Sequence, residues 1–149
     1  MHYKYLKVRS DIRFAAADAR LGQPEINIAF IPPVGTTQAL ARLLGRSRAI
    51  RYLYEGAMVS AEDALAMGLV DLIFPPEQLR EKVKHYAEAL AKKPGEALAA
   101  IRHTITEGGV LSFEEGLKIE YESAVKLAGT RDFSEGIRAF LDKRKPEWK

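Results

Sequence analysis

The sequence predicts an α/β chain of the α+β kind, with strand and loop signals near its start and helices through the rest. Three observations carry that prediction. Polar and apolar residues alternate at Asp11-Ile12-Arg13-Phe14-Ala15, as in a short half-buried strand. From Leu40 onward, apolar residues recur mostly at helical spacing. Two capping boxes, Ser60 with Asp63 and Ser112 with Glu115, mark helix starts directly.

In order along the chain, the Asp11–Ala15 strand leads through a turn at Ala17-Asp18-Ala19 into Arg20-Leu21-Gly22. Gln23-Pro24-Glu25 follows, then an apolar stretch from Ile26 to Ile31, read as a strand that Pro32-Pro33 ends. Thr36 and Thr37 are placed to cap a helix beginning near Gln38, which runs through Leu40, Leu43 and Leu44 and stops at Gly45. A segment from Ser47 to Tyr54 ends at Gly56, and the helix capped by Ser60 ends at Gly68. Leu69 to Phe74 reads as a buried strand closed by Pro75-Pro76, with Pro76 in the first turn of a long helix. Leu79, Val83, Tyr86, Ala87 and Leu90 form the apolar face of that helix, and Pro94 breaks it. The next helix carries Leu98, Ile101 and Ile105 and stops at Gly108-Gly109. Leu117, Tyr121, Ala124, Val125 and Ala128 continue the helix that Ser112 caps. The last helix, capped by Thr130 or Asp132, carries Ile137, Phe140 and Leu141. These C-terminal apolar faces are wide for so few partners, which points to burial against another domain or subunit.

Composition narrows the function classes. At 149 residues with 47% apolar and 29% charged residues, the chain is a globular domain, not a disordered one. The absence of cysteine excludes disulfides, thiolate zinc sites, iron–sulfur clusters and a cysteine nucleophile, and it fits a reducing cytoplasm. A net charge of +3, with both signs interspersed, gives no case for nucleic acid or a membrane surface as partner. No apolar run approaches the length of a membrane span. Arg46, Arg48 and Arg51 read as a solvated helix face. His2, His85 and His103 are scattered, without metal-ligand spacing or a nucleophile partner, so no metal or redox cofactor is implied.

Four stretches resemble the enoyl-CoA hydratase/isomerase (crotonase) family. Asp11-Ile12-Arg13 with Leu21-Gly22-Gln23-Pro24-Glu25 resembles that family's strand and its Phe-Gly-Gln-Pro-Glu signature. Ile31-Pro32-Pro33-Val34-Gly35-Thr36-Thr37-Gln38 is similar to its Ile-Pro-Gly-Ala-Gly-Gly-Thr-Gln loop. Ser60-Ala61-Glu62-Asp63-Ala64 with Gly68-Leu69-Val70 resembles the block after its Leu-Thr-Gly turn. Glu135 to Pro146 is similar to its terminal helix. The likeness covers about residues 10–149. It implies the C-terminal part of a crotonase-like β/α spiral core over residues 1–93, then a helical oligomerisation region over 94–149. Family members are longer, so the resemblance implies that the section bearing the CoA-binding strands, the first carboxylate and the oxyanion amides is missing. In register, the second glycine of a family Gly-Gly turn would fall at His2 and its glutamate at Tyr5, and Met1 to Arg9 resembles neither. An abrupt end to the likeness points to a truncated, frame-shifted or wrongly started reading frame.

Hydrating a conjugated enoyl thioester requires two preorganised N–H donors for the oxyanion and carboxylates to move protons between water and the α-carbon. The resemblance implies that Glu25 is one such carboxylate, on a turn stiffened by Pro24, whereas the residue alone reads as a solvated loop glutamate. It also implies that Pro32, Pro33 and Val34 line the acyl pocket. Pro33 and Thr36 stand where the family has glycines, and Ala39 where it has arginine, which alters that pocket. By the same resemblance Phe140 and Lys143 flank the coenzyme A of a neighbouring subunit. Taken alone, Lys143-Arg144-Lys145 complements the dipole at a helix C-terminus. The expected function is hydration of a trans-2-enoyl-CoA by the intact form, without a cofactor because coenzyme A belongs to the substrate. The alternatives are an enoyl-CoA isomerase, or an oligomerising module that is inactive by itself. The expected partners are an acyl-CoA and further copies of the chain, a trimer or hexamer in the family, with surface left exposed at Ile26–Ile31 and Leu69–Phe74.

Overall fold

The structure, a computed structural model, describes residues 10–148. Along the chain come β1 (Phe14–Ala16), β2 (Arg20–Leu21), a 3-10 turn (Pro24–Ile28), α1 (Thr36–Leu44), α2 (Arg46–Glu55), β3 (Val59–Ser60), α3 (Ala61–Met67), β4 (Leu72–Phe74), α4 (Pro76–Ala91), α5 (Gly95–Gly108), α6 (Phe113–Ala128) and α7 (Arg131–Leu141). The described residues pack as two units, divided inside α4 between Lys84 and His85. His2 and Tyr5 lie outside the described residues.

In the first unit β1 and β4 pair in parallel, with Phe14 opposite Leu72 and Ala16 opposite Phe74. The Asp71 carboxylate sets this register by accepting hydrogen bonds from the Arg13 backbone N–H (2.6 Å) and guanidinium (2.9 Å). That bond also explains why the strand starts at Phe14 and not at Asp11: the Arg13 N–H goes to a side chain instead of a ladder carbonyl. The Phe14 and Phe74 rings stack at 6.3 Å between centroids, across opposite ends of the pair. β2 and β3 form a second, antiparallel pair. The core beneath them joins Leu40 and Leu44 of α1, Ala49 and Tyr52 of α2, Ala64 of α3, and Ala15, Leu21, Leu69 and Val70. Burying a side chain such as Leu40 or Leu69 contributes about 1.5–3 kcal/mol over leaving it exposed.

Several local expectations change. Ile26–Ile31 is not a strand. Pro24 starts a 3-10 turn, and its backbone bonds stay local, with Ala29 N–H on Ile26 O (3.1 Å) and Phe30 N–H on Glu25 O (3.0 Å). Thr36 does not cap α1. Its hydroxyl donates backwards to Pro33 O at 2.9 Å, and Gly35 occupies the N-cap. The strand expected over Leu69–Phe74 shortens to Leu72–Phe74, because the Leu69 and Val70 N–H groups both bond Ala64 O at the end of α3. Leu69 and Val70 are therefore buried, which corrects the expected exposure there, while Ile26, Ile28, Phe30 and Ile31 are exposed as expected. Ser60 caps α3 by accepting the Asp63 N–H, and Ser112 with Glu115 forms the full capping box of α6.

In the second unit α5 and α6 fold back on each other through a short loop, with α7 against α6. Two glycines meet between them: a Cβ on Gly116 would lie 3.3 Å from Gly108 O. Ile101, Ile105, Leu117, Tyr121, Val125 and Phe140 are exposed, so these helices present wide apolar faces.

Candidate active site

Glu25 sits in the first turn of the Pro24–Ile28 segment, which is held at both ends. On its N-terminal side Leu21 and Gln23 are buried, and Gly22 lies so close to Met58 that a Cβ would collide with its sulfur. On its C-terminal side Ala29 adopts a left-handed conformation (φ 56°) that closes the turn. The Asn27 side-chain amide donates to Gly56 O at 3.4 Å, docking the turn on the C-terminal end of α2. Gly56 is needed there twice over, for its positive φ of 55° and because Ile26 occupies the space a Cβ would take.

Glu25 itself is half-buried, and its Oε2 is buried without a hydrogen-bond partner among the described residues. A buried, unpaired carboxylate oxygen has a large unmet demand for a donor. Tyr52 belongs to α2, the helix on whose C-terminal end the turn docks, and is buried. Burial foremost, and then the negative charge of Glu25, push the Tyr52 phenol from its ordinary 10 up to about 12. Tyr52 and Asn27 escape notice in the sequence, where Gly56 reads only as a helix stop. The only signal for Tyr52 is its place three residues after the buried Ala49 on the apolar face of α2.

Further along the chain, Pro32 is buried whereas Pro33 and Val34 are exposed. Val34 has φ 60° and is 94% exposed, an arrangement that a β-branched side chain resists. Gly35 follows at φ 80° and leads into α1.

The other two candidates belong to the second unit. Phe140, in the last turn of α7, is 81% exposed. Lys143 follows the helix end in a left-handed conformation (φ 53°), and Arg144 N–H returns to Ala139 O at 3.0 Å. The reversed tail is held by Glu135, which accepts the Arg144 guanidinium at 2.7 and 3.0 Å and the Glu147 N–H at 2.9 Å. The Arg144 bonds, with the Glu147 N–H next in weight, hold the Glu135 carboxyl down at about 2. No group of three or more metal-ligating side chains occurs among the described residues.

The family model described as Enoyl-CoA hydratase/isomerase matches residues 4–149, several residues further toward the N-terminus than the motifs alone reach. A probable enoyl-CoA hydratase of Bacillus subtilis (strain 168) is 37% identical over 145 residues, 97% of this chain and 56% of that protein. A crotonyl-CoA hydratase of Syntrophomonas wolfei is 35% identical over 135 residues, 91% of this chain and 52% of that protein. Among solved structures, an enoyl-CoA hydratase subunit I from Geobacillus kaustophilus HTA426 superposes with a TM-score of 0.92 at 35% identity, covering 97% of this chain and 56% of that one. The chain thus spans about half the length of the curated relatives it matches.

Proposed function

This chain belongs to the enoyl-CoA hydratase/isomerase family, and on that premise we propose that it carries one acid/base carboxylate of a trans-2-enoyl-CoA hydratase. Glu25 is that carboxylate. The observation carrying the proposal is the buried Oε2 of Glu25, which has no donor among the described residues, on a turn docked to α2. A water molecule bound there would satisfy the oxygen and be held ready for deprotonation, while a second carboxylate and two N–H donors complete the chemistry. Pro32, Pro33 and Val34 form part of the acyl pocket, and Phe140 with Lys143 contacts the coenzyme A of a neighbouring copy. Residues 1–93 are the part of the spiral core that holds Glu25, and 94–149 drive homo-oligomerisation into a trimer or hexamer. The substrate is an acyl-CoA, no cofactor beyond it takes part, and the setting is the cytoplasm. No helix among the described residues is long and apolar enough to cross a membrane.

The test is hydration of crotonyl-CoA. The 149-residue chain alone should show negligible turnover. A chimera joining the preceding portion of the Bacillus subtilis relative to residues 10–149 should hydrate crotonyl-CoA, and Glu25→Gln should lower that turnover by about 10²–10⁴-fold. Full turnover in the Glu25→Gln chimera would overturn the assignment of Glu25. Two other readings are distinguished by the same assays. Isomerase activity would show as migration of the double bond in a 3-enoyl-CoA. An assembly module without chemistry of its own, favoured by the exposed apolar faces of α5 and α6, would leave the chimera inactive but oligomeric.

A further inference from the structure

The chain reverses direction after α7, and one carboxylate holds the reversal. Glu135, in the second turn of α7, accepts the Arg144 guanidinium at 2.7 and 3.0 Å and the Glu147 N–H at 2.9 Å. Its side chain is only 17% exposed, so these bonds meet less competition from water than those of an open surface pair. Arg144 also closes the helix end, with its backbone N–H on Ala139 O at 3.0 Å and Nη1 on Lys145 O at 3.3 Å. Between the helix and Arg144 stands Lys143, whose φ of 53° is a conformation that residues other than glycine resist. Its N–H reaches Phe140 O at 3.3 Å, and its amine makes no ion pair among the described residues. In the run Lys143-Arg144-Lys145, the middle guanidinium is thus committed to the fold, while the Lys143 amine stays available beside an exposed aromatic ring.

We propose that Glu135, acting through Arg144, is a positioning residue for Lys143: the ion pair fixes the left-handed turn, so that the Lys143 amine is in place before the coenzyme A of a neighbouring copy arrives. This rests on the reading of Phe140 and Lys143 as coenzyme A contacts. A lysine on a loose tail occupies the binding position for only part of the time, and its contribution to affinity falls by that fraction. A bidentate guanidinium–carboxylate pair fixes direction as well as distance, and Arg144→Lys would keep the charge but lose the fork.

The first experiment uses the full 149-residue chain with isotopic nitrogen in its lysines. The Lys143 amide is assigned by its loss in Lys143→Arg, and its heteronuclear NOE should match that of Lys118 inside α6. Glu135→Gln should lower that NOE, and Arg144→Lys should lower it less. Circular dichroism of each variant establishes that the fold is kept. The second experiment measures binding of coenzyme A, and of pantetheine, which lacks the nucleotide phosphates, to the chimera described above. Lys143→Met and Glu135→Gln should each weaken coenzyme A binding by about three- to tenfold and leave pantetheine binding unchanged. The double substitution should bind no more weakly than Lys143→Met alone, because both remove the same contact. A Lys143 amide as ordered in Glu135→Gln as in the unchanged chain overturns the proposal. So does coenzyme A affinity that falls in Lys143→Met but not in Glu135→Gln. Affinity indifferent to Lys143→Met overturns the reading of Lys143 itself, and the proposal with it.

Discussion

Glu135 of α7 and Arg144 beyond its end form a bidentate ion pair, with Nη1 to Oε1 at 2.7 Å and Nη2 to Oε2 at 3.0 Å. The same carboxylate accepts the Glu147 N–H, and the Trp148 ring then lies over Gly136, where a Cβ would sit 3.4 Å from it. The left-handed turn at Lys143 is therefore closed by one glutamate, which ties the placement of Lys143 to the charge state of Glu135. The Glu135 carboxyl is held at about 2, below its ordinary 4.5, so its contribution to stability is fully present above pH 4.5 and lost as pH falls from 4.5 toward 2. Trp148 is the sole tryptophan and reports the tail directly. Its emission should be constant from pH 7 to about 4.5 and shift to the red below that. Glu135→Gln should give red-shifted emission already at pH 7.

The junction between the Glu25 turn and α2 should be sensitive to one methyl group. Gly56→Ala places a Cβ against Ile26 and forces a positive φ on alanine. Overpacking and backbone strain together predict a loss of about 1–3 kcal/mol, read from the urea midpoint at constant slope. Gly68→Ala, also at positive φ but with open space around its Cβ position, should cost only the conformational part, about 1 kcal/mol.

Val34 offers the opposite test. It is almost fully exposed and contacts little, yet holds φ 60°. Val34→Gly removes that strain and should raise the urea midpoint by an amount equivalent to about 0.5–1 kcal/mol, after the larger entropy of unfolded glycine is deducted. An unchanged or lower midpoint would show that the Val34 side chain makes a stabilising contact.

Self-association should follow from the second unit. Ile105 and Tyr121 are 70% and 71% exposed on helices that fold against each other. Light scattering of the 149-residue chain should give a mass above the 16.6 kDa of one copy. The double substitution Ile105→Glu with Tyr121→Glu should lower that mass, since charge on the apolar face is costly to bury. A monodisperse species of one-copy mass in the unmodified chain would remove the assembly role proposed for residues 94–149.

The sequence by itself determined the elements whose causes are local. The Ser112–Glu115 capping box, the Ser60 cap of α3 (without the reciprocal bond of a full box), the glycine stop at Gly68, the proline start of α4 and the extents of α5 to α7 follow from residues within one or two turns of each other. The likeness to the family was legible for a related reason, because short fixed motifs such as Gln23-Pro24-Glu25 survive as strings of letters. What only the tertiary structure decided depends on partners far apart in the chain. The strand at Phe14 waits on Asp71 to set its register. The apolar run after Pro24 turns instead of extending because its turn docks on Gly56. Tyr52 is an unremarkable helix residue until folding buries it within reach of the Glu25 charge. Periodicity records which face a residue occupies, but not which distant side chain meets it there, and the Glu25 site is made by such a meeting.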